Sequence, residues 1–273
     1  VDRNLWHTSY EGGVLEDPSA EAPADLCRRT VDPAGAPDEP GRVEIGFRAG
    51  VPVSLDGTDL PPLELVEELN ALASAHGVGR VDLVENRVVG MKSRGVYETP
   101  AGTVLVEALR DLEAVTLDRD VARHKERVSS RYAELVYRGQ WHSPLREALD
   151  AFLASACRWV TGTVTVELFK GACRPVARDA SDSLYREDLA TFGEAATYDH
   201  ADAGGFIRLW TLPARVHARV RGAGGAAPEG RPAEGVDDAS DADGAGGPDD
   251  PRAGIDADGV TPEGSIAGSP VAR

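Results

Sequence analysis

The sequence predicts an α+β fold, with a mixed or antiparallel sheet and packed helices, followed by a helical arm and an acidic tail. Three observations predict it. Period-2 hydrophobic alternation occurs in hairpin-like pairs near 42–55 and 163–178. A block of period-3.6 patterns lies between them, over 101–157. Strands and helices do not alternate one for one, as a doubly wound sheet would require.

Taken in order, 42–47 and 51–55 read as two strands, with Gly50 in the connection and Asp56-Gly57 as a turn. Residues 63–76 read as a helix, because Leu65, Val66, Leu69, Leu72 and Ala73 share one face and Gly77 supplies the stop. Residues 80–84 and 87–90 are short strand candidates. Residues 101–115 and 118–138 read as helices. Ser143 caps a further helix with Pro144 at its first position, and Leu145, Leu149, Phe152, Leu153 and Ala156 form its apolar stripe. In 163–169, Val164, Val166 and Leu168 fall on one side of a strand, and Gly171-Ala172 turns it into 173–178. Residues 201–221 read as helical, interrupted at Pro213.

Composition breaks at Gly222. Residues 223–273 hold 11 acidic and 3 basic side chains and no aromatic, so they cannot bury enough apolar surface to offset the entropy of ordering. The expected organisation is a main domain over 1–200, an arm over 201–222 and a disordered acidic tail over 223–273. The net charge of −17 argues against broad phosphate neutralisation, and so against nucleic acid as a partner. No run approaches the ~20 apolar residues of a membrane-spanning helix. Cys27, Cys157 and Cys173 are too few and scattered for a disulfide framework, which suits a reducing, cytoplasmic setting. The first residues lack a charged segment followed by an apolar run, so no secretory signal is expected. The chain begins on Val1 and runs directly into dense sequence, so upstream sequence is expected to be missing.

Several chemistries lack support. There is no CxxC, HExxH, P-loop or GxSxG, and the six histidines are spread singly, so no metal site is expected. Gly77-Val78-Gly79 starts like a dinucleotide fingerprint, but Asp82 stands where the third glycine belongs. Two patches stand out instead. In 76–100, glycines at 77, 79, 90 and 95 punctuate short apolar runs that carry Asp82, Glu85, Arg87, Arg94, Tyr97 and Glu98. Such loops mount binding groups. Glu85 could accept from an amine or ureido N–H, and Tyr97 offers a hydroxyl on a packing ring. The alternative is a set of structural ion pairs, Asp82 and Glu85 against Arg87 and Arg94. In 2–18, Ser9 precedes the Gly12-Gly13 turn, either reaching a small polar ligand or serving the turn.

These patches, DRNLWHTSYEGGVLEDP at 2–18 and HGVGRVDLVENRVVGMKSRGVYETPAGT at 76–103, resemble the argininosuccinate synthase family. So do YAELVYRGQWHSP at 132–144, VTGTV at 160–164, SLYREDLATF at 183–192 and GFIRLWTLP at 205–213. The resemblance runs over about 1–220. It implies an ATP-dependent ligation of citrulline to aspartate in arginine biosynthesis, through a citrullyl-adenylate, with AMP and pyrophosphate released. It implies that Ser9, Glu85 and Tyr97 contact citrulline. ATP, with Mg, would be held by an N-terminal domain opened by an SGGLD-type loop, and no SGG occurs in this chain. It also implies a homotetramer whose C-terminal arm reaches a neighbouring subunit, a role that suits Phe206, Ile207, Leu209 and Trp210. The competing expectation is a short product without catalysis, serving as an oligomerisation or citrulline-binding module.

Overall fold

A computed structural model describes residues 1–190 and 199–222. The chain divides into two compact units, Val1–Asp202 and Ala203–Arg273. The first is α+β, with two sheets that are antiparallel throughout. The tail expected over 223–273 lies outside the described residues.

The five-stranded sheet has the order β5-β4-β3-β8-β9, from β3 (Gly41–Arg48), β4 (Val51–Leu55), β5 (Thr58–Asp59), β8 (Gly162–Phe169) and β9 (Ala172–Asp179). Its centre is built as the alternation predicts. Val43 faces Val166 and Ile45 faces Val164 across β3 and β8, and Leu168 continues the same row, all buried. Against this face pack α1 (Pro62–Ala75) and α2 (Pro100–Thr116) through Leu65, Leu69 and Ala73, and Val104, Ala108 and Leu112. Each such large aliphatic side chain contributes on the order of 1.5–3 kcal/mol by burial, so this sheet and helix pair carries most of the stability. Beyond it lie α3 (Arg119–Tyr137), α4 (Pro144–Cys157) and the short α5 (Glu187–Ala190). Asp118 caps α3, accepting from the amides of Asp120 and Val121, and Ser143 caps α4, accepting from Arg146 N–H. The expected stripe of α4 is only half-buried: Leu149, Phe152, Leu153 and Ala156 are partly covered, and Leu145 is exposed.

The four-stranded sheet has the order β1-β2-β7-β6, from β1 (Asp2–Arg3), β2 (Thr8–Tyr10), β6 (Arg80–Asn86) and β7 (Lys92–Glu98). Here the sequence reading needs correction. Residues 87–90 are not a strand but the turn of the β6–β7 hairpin. Gly90 donates to Arg87 O at 2.7 Å with φ of 86°, a conformation open to glycine. Lys92–Glu98 is the strand that the sequence did not disclose. The four-stranded sheet meets the helices where Gly79, just before β6, lies against the backbone of Thr99 and Pro100 at the start of α2. A Cβ at Gly79 would stand 2.7 Å from those atoms, so only glycine permits the approach.

The second unit contains α7 (Leu212–Gly222) and all but the first residue of α6 (Asp202–Trp210). The break falls at Thr211, earlier than Pro213. Pro213 instead occupies the first turn of α7, where a missing N–H costs nothing. Phe206 stacks on Trp210 with ring centroids 5.5 Å apart, and Phe206, Ile207, Leu209 and Trp210 are exposed.

Candidate functional site

The register of the four-stranded sheet sorts its side chains onto two faces. Ser9 pairs with Tyr97, and Glu85 pairs with Ser93, so Ser9, Tyr97, Ser93 and Glu85 share one face. Thr8 pairs with Glu98 and Tyr10 with Val96, so these share the other. Strand alternation thus separates neighbours in sequence by the thickness of the sheet.

The first face is open. Ser9, Glu85 and Tyr97 line a cleft of about 760 Å³ together with His7, Glu11, Arg87, Ser93 and Tyr137. Tyr97 donates to Glu85 Oε1 at 2.5 Å. Burial, then this hydrogen bond and the charge of Glu85, push the Tyr97 hydroxyl far above the usual phenol range, so it stays a donor at neutral pH. Glu85 accepts from no other group among the described residues, which leaves lone pairs for a ligand's N–H groups. Ser9 is 6% exposed and lies in β2 rather than at the Gly12-Gly13 turn. The His7 ring lies 6.2 Å from that of Tyr97.

The expected ion pairs form in part. Arg94 grips Asp82 through two hydrogen bonds of 2.9 and 2.6 Å, and this hydrogen bonding, with the guanidinium charge, holds the Asp82 carboxyl below its usual range. Arg87 does not pair with Glu85. It turns to Glu11 at 3.5 Å and Ser93 at 3.4 Å, because β6 ends at Asn86 and the turn redirects it. Glu85 is thereby left to Tyr97.

The second face is closed around Glu98, which is fully buried. Its carboxylate accepts from the Tyr10 hydroxyl at 2.6 Å, the Thr30 hydroxyl at 2.6 Å, and the amides of Thr30 at 2.7 Å and of Arg28 and Arg29 at 3.1 Å. Burial alone would raise its pKa. The hydrogen bonds from Thr30, Tyr10 and the backbone outweigh that and hold it below the usual carboxylate range. A second cavity of about 770 Å³ opens on this side, and of its charged side chains Arg80, Asp32 and Asp82 are engaged with internal partners while Glu21 is not, among the described residues. Arg80 binds Thr30 and Asp32, and Asp82 binds Arg94. The first cleft brings the unsaturated Glu85 carboxylate together with the Ser9 and Tyr97 hydroxyls, and it is the candidate site.

Sequence reasoning did not single out His7 or Tyr137, and it read Arg87 as an ion-pair partner and not as part of a cleft. For His7 the signal is present: it stands two residues from Ser9 on a period-2 strand approach. Tyr137 has none, because it arrives from the end of α3 by tertiary packing.

A model of the arginosuccinate synthase C-terminal domain matches residues 1–217. The chain belongs to the argininosuccinate synthase family. The argininosuccinate synthase of Moorella thermoacetica is 56% identical over 218 residues, which cover 80% of this chain and 53% of that protein. The chloroplastic argininosuccinate synthase of Arabidopsis thaliana is 49% identical over 220 residues, 81% of this chain and 44% of that protein. That of Roseiflexus sp. is 53% identical over 221 residues, 81% of this chain and 54% of that protein. The chain spans about half the length of the curated argininosuccinate synthases that it matches. Among the described residues no helix is long and apolar enough to cross a membrane, and no cluster of three or more His, Cys, Asp or Glu could hold a metal ion.

Proposed function

We propose that this chain supplies the citrulline-binding part of a cytoplasmic argininosuccinate synthase, which joins citrulline to aspartate in arginine biosynthesis. The observation that carries the reading is Glu85: a carboxylate with one internal hydrogen bond, in an open cleft, beside Ser9 and Tyr97. A ureido group presents N–H donors on one side and an oxygen on the other. Glu85 accepts the N–H groups, which pushes electron density onto that oxygen, the atom that attacks the α-phosphate of ATP. The hydrogen bond from Tyr97 holds the Glu85 carboxylate aimed into the cleft, and the Ser9 hydroxyl fixes the group's orientation. Adenylation of the oxygen and displacement of AMP by the aspartate amine demand alignment and charge neutralisation at the phosphate. By the family resemblance, ATP with its Mg and aspartate are assigned to a domain N-terminal to this one, and the role assigned to the residues described here is the binding of citrulline. That division supports a chain that binds one substrate and depends on another polypeptide segment for ATP and aspartate.

The exposed Phe206, Ile207, Leu209 and Trp210 of α6 support an arm that packs on a neighbouring subunit in a homotetramer. Sedimentation of the chain as a monomer at micromolar concentration would count against that arm.

The reading is tested by thermal shift with two ligands. Citrulline is expected to raise Tm in proportion to ligand excess over Kd. Ornithine, which lacks the ureido group, is expected to leave it unchanged. Equal shifts with both would sink the assignment.

A further inference from the structure

We propose that Gly95 is a positioning residue of this cleft, and that it acts by giving the Tyr97 ring a place to lie. Gly95 and Tyr97 stand on the same face of β7, two residues apart. Side chains so placed ordinarily rise side by side from the sheet. Tyr97 instead folds down along the strand. A Cβ built on Gly95 would stand 2.7 Å from Cε2 and the hydroxyl oxygen of Tyr97 and 2.8 Å from Cζ, so the ring occupies the space that any side chain at 95 would need. Gly95 is buried for this reason.

The register explains the need. Tyr97 pairs across the sheet with Val81, Gly95 with Leu83, and Ser93 with Glu85. The hydroxyl of Tyr97 therefore reaches a residue four places along the neighbouring strand, a span of roughly 13 Å between the two backbone positions. A tyrosine and a glutamate bridge that span only by leaning toward each other along the strands. The lean of Tyr97 crosses the row of Gly95. The backbone of Gly95 does not itself call for glycine, because it is not among the positions of positive φ. In an extended strand an alanine would ordinarily be better tolerated than glycine. The three atoms nearest to that Cβ all belong to the Tyr97 ring and its hydroxyl, so the steric demand comes from Tyr97.

The test uses the full chain and reads Tyr97 directly. Tyrosinate absorbance is titrated with pH in the parent and in Gly95→Ala, with Tyr97→Phe identifying the Tyr97 signal. In the parent, Tyr97 is expected to ionise above the ordinary value, because burial and the hydrogen bond to Glu85 disfavour the phenolate. In Gly95→Ala the displaced ring loses Glu85, and its titration is expected to fall toward about 10. An unchanged Tyr97 titration overturns the proposal. If Gly95→Ala does not fold, it is repeated on a Tyr97→Ala background, where the ring is gone. Recovery of folding supports the proposal, and failure in both backgrounds overturns it.

The affinity arm rests on the citrulline reading of the cleft. Gly95→Ala should weaken citrulline at least tenfold, and should weaken it no further in a chain that already carries Tyr97→Ala. Additive losses in the two variants overturn the proposal. Absence of citrulline binding in the parent would overturn the functional reading while leaving the titration result standing, so the two failures are distinguishable.

Discussion

The four-stranded sheet carries a tyrosine–carboxylate pair on each face, Tyr10 with Glu98 at 2.6 Å and Tyr97 with Glu85 at 2.5 Å. The bonds are alike in length and chemistry. Their surroundings differ. Glu98 is fully buried and takes hydrogen bonds from two hydroxyls and three backbone amides, whereas Glu85 takes one and faces a cleft. A saturated carboxylate has nothing left for a ligand and ties distant segments together. An unsaturated one, held by a single donor, is poised to accept more. The number of partners, and not the pair itself, separates a structural carboxylate from a binding one.

The contrast is most easily broken at Glu98. Glu98→Gln removes the charge and turns an amide NH2 toward backbone N–H groups, leaving buried donors without acceptors. We expect a loss on the order of 3 kcal/mol in denaturant unfolding. The pH dependence carries a definite sign. The folded pKa of Glu98 lies below its ordinary value of 4.5. Its stabilisation is therefore fully present above pH of about 4.5 and is lost as pH falls through the folded value. The acid limb of the stability profile should be shallower in Glu98→Gln than in the parent.

Glu85→Gln should give the opposite outcome. Stability should change by less than about 1 kcal/mol, because one partly exposed hydrogen bond is altered. Citrulline affinity should fall at least tenfold, as expected when a charged acceptor worth ~1.5–3 kcal/mol is lost. A variant that unfolds without a selective loss of affinity would place Glu85 in the same class as Glu98. Tyr97→Phe sharpens the contrast further. It keeps the ring over Gly95 and removes only the donor, so a three- to tenfold loss of affinity is expected, on the order of 1 kcal/mol. Ser9→Ala is the mildest change, with a loss of about threefold or less expected from a neutral hydrogen bond. Calorimetric titration of each variant ranks them.

The larger sheet was legible in the sequence and the smaller one was not, for a physical reason. In β8, Val164, Val166 and Leu168 face a packed core while alternate residues do not, so period-2 contrast survives in the letters. In β7, Ser93 and Tyr97 line a cleft and the Tyr97 ring lies across Gly95, so the alternation carries no apolar signal. The neighbouring Val88 and Val89 look like strand residues but are exposed at 61% and 74% in the hairpin turn. The helices α1 to α3 were legible because their buried positions recur at helical spacing.

The site was legible in its residues but not in its wiring. Glu85 and Tyr97 stood out as polar groups in a glycine-punctuated stretch. That Glu85 would be held by Tyr97, and Arg87 by Glu11, depends on where β6 ends. Glu98 gave no local sign of its role, since its partners at 28–30 lie about 70 residues away in the chain. Glycine at 95 read as punctuation, and only the folded ring of Tyr97 gives it a meaning.

The central claim is that the open carboxylate, and not the closed one, takes the substrate. Calorimetric titration of citrulline into the parent chain and into Glu85→Gln tests it most directly. The account predicts saturable binding in the parent that weakens at least tenfold in the variant, with both proteins folded. Binding that is unchanged by Glu85→Gln, or no binding in a folded parent, would contradict it.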